Sequence, residues 1–299
     1  MAEVGDDPNE ISLEEARKID PRYEVDDIVE TEVTPRNFGR IAAQNAKQVV
    51  VQRIREAERG MVFEKFSSRE NDIVTGIIQR MENKNVYIDL GKAEAILTPN
   101  EQIPGEIYQY HDRMKTYIVE VKKTSKGPQI MVSRTHPGLL KRLFELEVPE
   151  IHDGLVEIKS VAREPGMRSK ISVYTKDENI DPVGACVGHK GMRVQTIVNE
   201  LRGEKIDIVK YSSEPDQYVA NALSPAKVVS TEVLEEEKIC RVIVPDYQLS
   251  LAIGKEGQNA RLAAKLTGWK IDIKSESQAA EEAEQGAQEV GVAYEADED

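Results

Sequence analysis

The stretch Val187-Gly188-His189-Lys190-Gly191 constrains this chain more than any other. A helix-like segment ending at Val187 meets two glycines separated by two residues, and a second helix-like segment, Met192 to Leu201, follows at once. The arrangement returns 66 residues later as Ile253-Gly254-Lys255-Glu256-Gly257, followed by Gln258 to Thr267. Each copy then reaches the same tetrapeptide, Lys205-Ile206-Asp207-Ile208 in the first and Lys270-Ile271-Asp272-Ile273 in the second. One such glycine pair is an ordinary turn. Two with matched flanks are an internal repeat, which makes the C-terminal half two copies of one small supersecondary unit.

The surrounding pattern gives the unit its element order. In the first copy a helix opens at Pro137 and ends before Pro149, with Leu139, Leu140, Leu143, Phe144 and Leu146 on one side. Strand-like runs at Leu155–Ala162 and Lys170–Thr175 follow, then a short helix at Val183–Val187, the glycine loop, a longer helix and a strand at Lys205–Lys210. Residues 216–274 repeat that order. Helix, strand, strand, helix, GxxG, helix, strand resembles the bacterial variety of KH domain, twice in tandem.

Glycine at these places suits a nucleic-acid backbone. Without a Cβ the main chain can be approached closely and can adopt left-handed dihedrals. A helix begins directly after each loop, and its first amides and positive dipole end favour an anion. KH domains use such a loop to clamp about four nucleotides of single strand. The candidate RNA-binding residues are therefore Gly188, His189, Lys190, Gly191 and Arg193 in the first copy, and Gly254, Lys255, Gly257 and Asn259 in the second. Val187, Ile206 and Ile208 are candidates for an adjacent base-binding groove. The loops are unequal, because Glu256 sets a negative charge where a phosphate would pass. The first loop is expected to be the better clamp.

Upstream, the period changes. Asp72–Arg80, Asn85–Gly91, Ala93–Leu97, Tyr117–Thr124 and Gln129–Arg134 read as five short strands separated by turn material. That is the size of an OB barrel. Asp72-Ile73-Val74-Thr75-Gly76, Val86-Tyr87-Ile88-Asp89-Leu90-Gly91 and Ile130-Met131-Val132-Ser133-Arg134 resemble the RNA-binding barrel that repeats in the largest protein of the bacterial small ribosomal subunit. Tyr87, His111, Arg113, Lys122 and Lys123 are its candidate contacts, and few aromatics are available for stacking, so a weak site is expected.

Before the barrel, Ser12 and Glu15 are placed for a capping box and Asp27–Val33 alternates like a strand. From Pro35 to Gly60, Phe38, Ile41, Ala42, Ala46, Val49, Val50 and Ile54 form an apolar stripe at helical spacing. The opposite face carries Arg36, Arg40, Lys47, Arg53, Arg55 and Arg59, and Gly60 is placed to cap the helix. This stripe is expected to pack, leaving the basic face solvated or touching a partner. After Ser277 the chain becomes Ala, Glu, Gln and Gly without apolar period, the composition of a disordered acidic tail.

A net charge of −14 argues against nucleic acid until its distribution is examined. Residues 1–34 carry −9 and residues 278–299 carry −8, which leaves the interior at +3. A local basic surface, and not the total, governs phosphate binding. No apolar run approaches membrane-spanning length. The polar acidic start is not a secretory signal. Cys186 and Cys240 lie in apolar segments and read as core thiols in a reducing, cytoplasmic setting. The four histidines are expected on surfaces or loops, and Trp269 is expected as a packing anchor. No window offers metal-ligand spacing, clustered carboxylates or a nucleophile beside a base, so no catalytic residue, metal or cofactor is expected.

The predicted fold class is α+β and multidomain. Residues 1–70 form a partial N-terminal α/β region with a long helix, 71–135 a five-stranded OB β-barrel, 136–211 and 212–276 two tandem type II KH domains, and 277–299 an acidic disordered tail. A barrel followed by two KH domains resembles the NusA family of transcription termination/antitermination factors over about residues 10–276. The carriers include Thr34-Pro35-Arg36-Asn37-Phe38-Gly39-Arg40, Val132-Ser133-Arg134-Thr135-His136-Pro137, Asp181-Pro182-Val183-Gly184-Ala185-Cys186-Val187-Gly188 and Val244-Pro245-Asp246-Tyr247-Gln248-Leu249-Ser250. The resemblance implies a non-catalytic partner of bacterial RNA polymerase core that contacts single-stranded nascent RNA. It also implies action in pausing, termination and antitermination alongside other antitermination factors. At the N-terminus it extends only to the second half of a longer polymerase-binding domain, which leaves polymerase contact open. The alternative is an RNA-binding module of translation or RNA decay without polymerase contact. Exoribonucleases, however, place KH before OB and add catalytic domains.

Overall fold

The computed structural model describes residues 10–30, 38–125, 127–282 and 284. They fall into two compact units, Met1–Glu58 and Arg59–Asp299.

In the first unit, α1 (Leu13–Ile19) starts at Ser12, whose hydroxyl accepts from the Glu15 amide at 3.3 Å. The same hydroxyl donates to the Glu15 carboxylate, which therefore does not close the expected box on the Ser12 amide. Residues 27–30 hold no strand, and 31–33 of the predicted alternation lie outside the described residues. The predicted helix exists as α2 (Phe38–Ser67), but it runs through Gly60 without a cap there. Its apolar stripe does not pack as expected: Ile41, Val49, Val50 and Ile54 are all more than half exposed. Helical periodicity identified the element, but no second layer among the described residues of this unit covers it.

In the second unit the end of α2 places Phe66 into the core of a barrel. The strands are β1 (Ile73–Glu82), β2 (Asn85–Asp89), β3 (Glu94–Leu97), β4 (Arg113–Thr124) and β5 (Gly127–Ser133). They close in the order β1-β2-β3-β5-β4, with β3 and β5 parallel and the other neighbours antiparallel. Alternate residues point inward, among them Val74, Ile78, Val86, Ile88, Leu97, Ile118, Ile130 and Val132. β4 begins at Arg113, earlier than its apolar pattern suggested, because Met114 already points into this core.

The first KH module consists of α3 (Pro137–Glu147), α4 (Pro149–His152), β6 (Val156–Glu164), β7 (Arg168–Thr175), α5 (Pro182–Val187), α6 (Met192–Glu200) and β8 (Lys205–Lys210). Its sheet runs β6-β7-β8, antiparallel then parallel. The second module repeats this with α7 (Pro215–Ala222), β9 (Ser230–Leu234), β10 (Ile239–Val244), α8 (Leu249–Ile253), α9 (Gln258–Thr267) and β11 (Lys270–Ser275). Leu139, Leu143, Phe144, Ile171, Val173, Cys186 and Ile197 fill the first core, and Val219, Leu223, Cys240, Val242, Leu262 and Leu266 the second. Both cysteines are buried free thiols, as their apolar settings suggested. Ala162 and Val209 of the first sheet belong to the second core, so α7 and α9 cover the face of that sheet turned away from its own helices.

Buried charge marks the seams. Arg134, 1% exposed, leaves β5 to salt-bridge with Glu106 of the barrel and to donate to the Glu200 carbonyl at the end of α6. Arg163 and Glu204, with almost no exposed side-chain surface, form a bidentate pair at 2.8 and 2.9 Å. Arg163 also donates to the His136 carbonyl. The His136 ring stacks on Tyr117 of the barrel with centroids 4.5 Å apart, and its Nδ1 accepts from the Gly138 amide. A Cβ at Gly138 would lie 2.5 Å from the Tyr117 ring, so glycine permits the contact. His136 lies in a loop, as the sequence suggested, but is half-buried there and does structural work. Lys170 of β7, fully buried, donates to Asp207 of β8 at 2.9 Å and to the Ser224 carbonyl of the second module at 2.7 Å.

The tail predicted to be disordered begins as helix: residues 276–282 and 284 are helical, and 285–299 lie outside the described residues. Among the described residues no helix is long and apolar enough to cross a membrane.

Burial raises the Glu204 carboxyl, but the Arg163 pair, with help from Ser169 and the Gly166 amide, outweighs it and holds the group below its ordinary value of 4.5. Its stabilising contribution is therefore complete above that value and is lost as acid titrates the folded state. Arg163→Met strands the carboxylate and is expected to lower the unfolding free energy by about 3 kcal/mol at neutral pH. Urea titrations check this. The gap from the unaltered chain should narrow only as acid carries the folded state through its lowered Glu204 value, below which the group is protonated in both.

Candidate nucleic-acid interface

Both glycine loops adopt one backbone path. Gly188 has φ 73° and ψ 178°, and Gly254 has φ 77° and ψ 171°. The third residue of each loop is left-handed, Lys190 at φ 51° and Glu256 at φ 53°, and so is each closing glycine. The Gly191 amide donates to the Gly188 carbonyl, and the Gly257 amide to that of Gly254, both at 3.1 Å. The first glycine of each loop holds a conformation closed to residues with a Cβ. At Gly254 an added Cβ would also sit 2.8 Å from the Asn259 backbone nitrogen, which cannot swing aside.

Each loop ends where α6 or α9 begins, at the positive end of a helix. His189, Lys190, Lys255 and Glu256 are exposed. Beside the first loop an open depression of about 420 Å³ is lined by Lys190, Gly191, Met192, Gln195, Thr196 and Asn199. Met192 is 67% exposed at its rim, an apolar surface next to a cation. The loop thus offers a close backbone approach, a basic side chain and an apolar shelf, which a single strand with splayed bases requires.

Two predicted contact residues do other work. Arg193 and Asn259 occupy the same position, five residues after the first glycine of their loop. Both reach back to the end of the preceding short helix. Arg193 donates to the Ala185 carbonyl at 2.6 Å and pairs with Glu150 at 2.9 Å. The Asn259 amide donates to the carbonyls of Ala252 and Leu223, both at 3.0 Å, and its side chain is buried. Asn259 therefore cannot touch RNA as the sequence suggested. Its amide satisfies carbonyls that a helix terminus leaves open. Arg193 is held to the same kind of carbonyl, so both residues fix the angle between the helices flanking the loop. A shared offset from the glycines was the available signal, but different residue types concealed it.

The base-groove candidates Ile206 and Ile208 are partly buried against the first core, and Val187 ends α5 beside the loop. On the barrel, Tyr87 lies under the Arg80 guanidinium at 3.9 Å, and Arg80 is held by Glu94 and Glu82. Lys123 sits over Phe63, and Lys122 pairs with Glu120. Of the five barrel candidates, His111, Arg113, Lys122 and Lys123 are exposed and Tyr87 is half-buried. Among the described residues no cluster of His, Cys, Asp or Glu is arranged to hold a metal ion.

A closed five-stranded barrel followed by two KH modules with paired GxxG loops defines a modular single-stranded-RNA-binding protein. Comparison with known families divides the chain in the same sense. The NusA N-terminal domain matches residues 1–60, the S1 RNA binding domain 67–133, the NusA-like first KH domain 134–211 and the NusA-like second KH domain 215–281. The transcription termination/antitermination protein NusA of Halalkalibacterium halodurans is 71% identical over 281 residues, which cover 94% of this chain and 74% of that protein. Its counterpart in Bacillus subtilis is 70% identical, covering 93% and 75%. That of Thermus thermophilus is 46% identical, covering 91% and 70%. The chain belongs to the NusA family.

A phosphate ligand and a brace differ in salt response. Lys190→Gln is expected to reduce the slope of log affinity against log salt by about 0.7, one single-strand phosphate. Arg193→Gln should weaken binding with no change in that slope. Titration of a labelled single-stranded RNA at four salt concentrations separates the two.

Proposed function

We propose that the chain is a non-catalytic, RNA-binding transcription factor that holds nascent single-stranded RNA on its KH loops and takes part in pausing, termination and antitermination. The observation that carries this reading is the pair of loops with one backbone conformation, set on modules that share a core. The phosphate path is assigned along the Cβ-free backbone at Gly188, Gly191, Gly254 and Gly257, whose amides are already donated within the protein, and the phosphate contacts to the side chains of His189, Lys190 and Lys255. Glu256 brings like charge to the second loop, so the first grips and the second extends the track.

The relatives' name, termination/antitermination protein, supports an RNA polymerase core partner and other antitermination factors, and with them a cytoplasmic setting. The exposed apolar stripe of α2, with Val49 and Ile54, offers a docking face for such a partner. We divide the chain accordingly into a polymerase-facing region to residue 70, a barrel to 135, KH modules at 136–211 and 212–276, and a tail.

Replacing His189 and Lys190 together by Asp is expected to weaken binding of a short single-stranded RNA on the order of tenfold or more, about 1.4 kcal/mol. Lys255→Asp should weaken it by about threefold, on the smaller side of the same scale. Fluorescence anisotropy on both variants checks the order, and equal losses would contradict the assignment.

A further inference from the structure

Arg261 lies one turn into α9 and makes two contacts that join different parts of the protein. Its Nη1 donates to the carbonyl of Glu256, inside the second loop, at 3.1 Å. Its Nε donates to Glu164 at the end of β6, in the first KH module, at 2.6 Å. Glu164 is mostly buried, with 17% of its side chain exposed, and its other oxygen accepts from Gln258, the first residue of α9, at 2.8 Å. The Arg261 hydrogen bond, with lesser help from Gln258, holds the Glu164 carboxyl below its ordinary value against the effect of burial. One carboxylate of the first module thus receives two donors from the helix that opens behind the second loop.

The first module has no such link. The position matching Arg261, seven residues after the first glycine, is Gln195, whose amide donates along its own helix to Asn199. An exposed ion pair alone contributes little. Here the guanidinium fork is divided between a loop carbonyl and a carboxylate of the neighbouring module, a geometry that a single ammonium nitrogen does not reproduce.

We propose that Arg261 is a positioning residue that braces the second glycine loop against the first KH module, so that both loops meet one RNA strand at a fixed spacing. The proposal rests on the reading that both loops hold RNA. Without the brace the second loop keeps its glycines and Lys255 but loses its fixed place relative to Gly188.

The test uses the full chain with Arg261→Gln and Arg261→Lys. Hydrogen exchange without RNA comes first. The amides of Gly191 and Gly257 make the same loop hydrogen bond, so each reports the opening of its own loop. Both variants are expected to speed exchange at Gly257 severalfold and leave Gly191 unchanged. Equal acceleration at both would mean general destabilisation and would overturn the proposal, as would no change at either. RNA binding follows, with single-stranded oligonucleotides of about 5 and about 12 nucleotides, because one KH loop clamps about four. Both variants should lose about twofold to threefold on the longer RNA and nothing on the shorter. If Arg261→Lys restores affinity while Gly257 still exchanges fast, Arg261 serves RNA as a charge and the proposal fails. If Gly257 responds as expected but Lys255→Asp leaves the longer RNA unaffected, the reading of the second loop as an RNA contact fails and the brace is only structural.

Discussion

A charge removed from water must find its partners inside the protein, and three such charges set the geometry of the second unit. Arg134, Arg163 and Lys170 are each almost without solvent contact, and each is answered from more than one element. Arg134 ties the barrel to α6, Arg163 ties β6 to the segment leaving the barrel, and Lys170 ties the first sheet to the second module. Breaking one partner of such a pair leaves the other charge buried and uncompensated, at about 3–5 kcal/mol. That penalty is directional, because hydrogen bonds to named carbonyls fail with small rotations where apolar contact would slide. The buried cations therefore hold barrel and modules in one arrangement.

The repeated tetrapeptide shows how duplication was bent to this end. Asp207 of the first copy takes Arg168 in a bidentate pair and Lys170 beside it, and these outweigh burial and keep its carboxyl below the ordinary value. Asp272 of the second copy, in the same Lys-Ile-Asp-Ile, stands across from Arg241 in register and reaches only Lys274, at 3.6 Å. The difference is what lies over the sheet. The first is covered by α7 and α9 of its neighbour. Identical sequence thus does interface work in one module and surface work in the other.

Much of this was legible in the chain. Alternation gave the barrel strands, and the repeat gave the element order of both modules, because each rests on local periodicity that a pleated strand or an amphipathic helix imposes. The loops were legible for the same reason, since left-handed dihedrals demand glycine at fixed offsets. What sequence could not give was long-range. Asn259 looked like a loop contact but is buried under Leu223, a residue 36 positions away. Arg193 looked like a phosphate ligand but bonds Glu150 across 43 positions. Arg261 and Glu164 are separated by 97. The stripe of α2 erred in the opposite direction, because periodicity reports which residues share a face and not whether anything covers it.

The central claim is that the two loops sit on one rigid frame, and a distance measurement tests it most directly. Cys186 and Cys240 are buried, so spin labels can be directed to Lys141→Cys on α3 and Lys265→Cys on α9, both exposed positions away from the loops. Pulsed electron resonance on the free protein should give a single narrow distance distribution, and saturating single-stranded RNA should leave it in place. A broad distribution, or one that narrows or shifts when RNA is added, would show modules that move independently and would contradict the account.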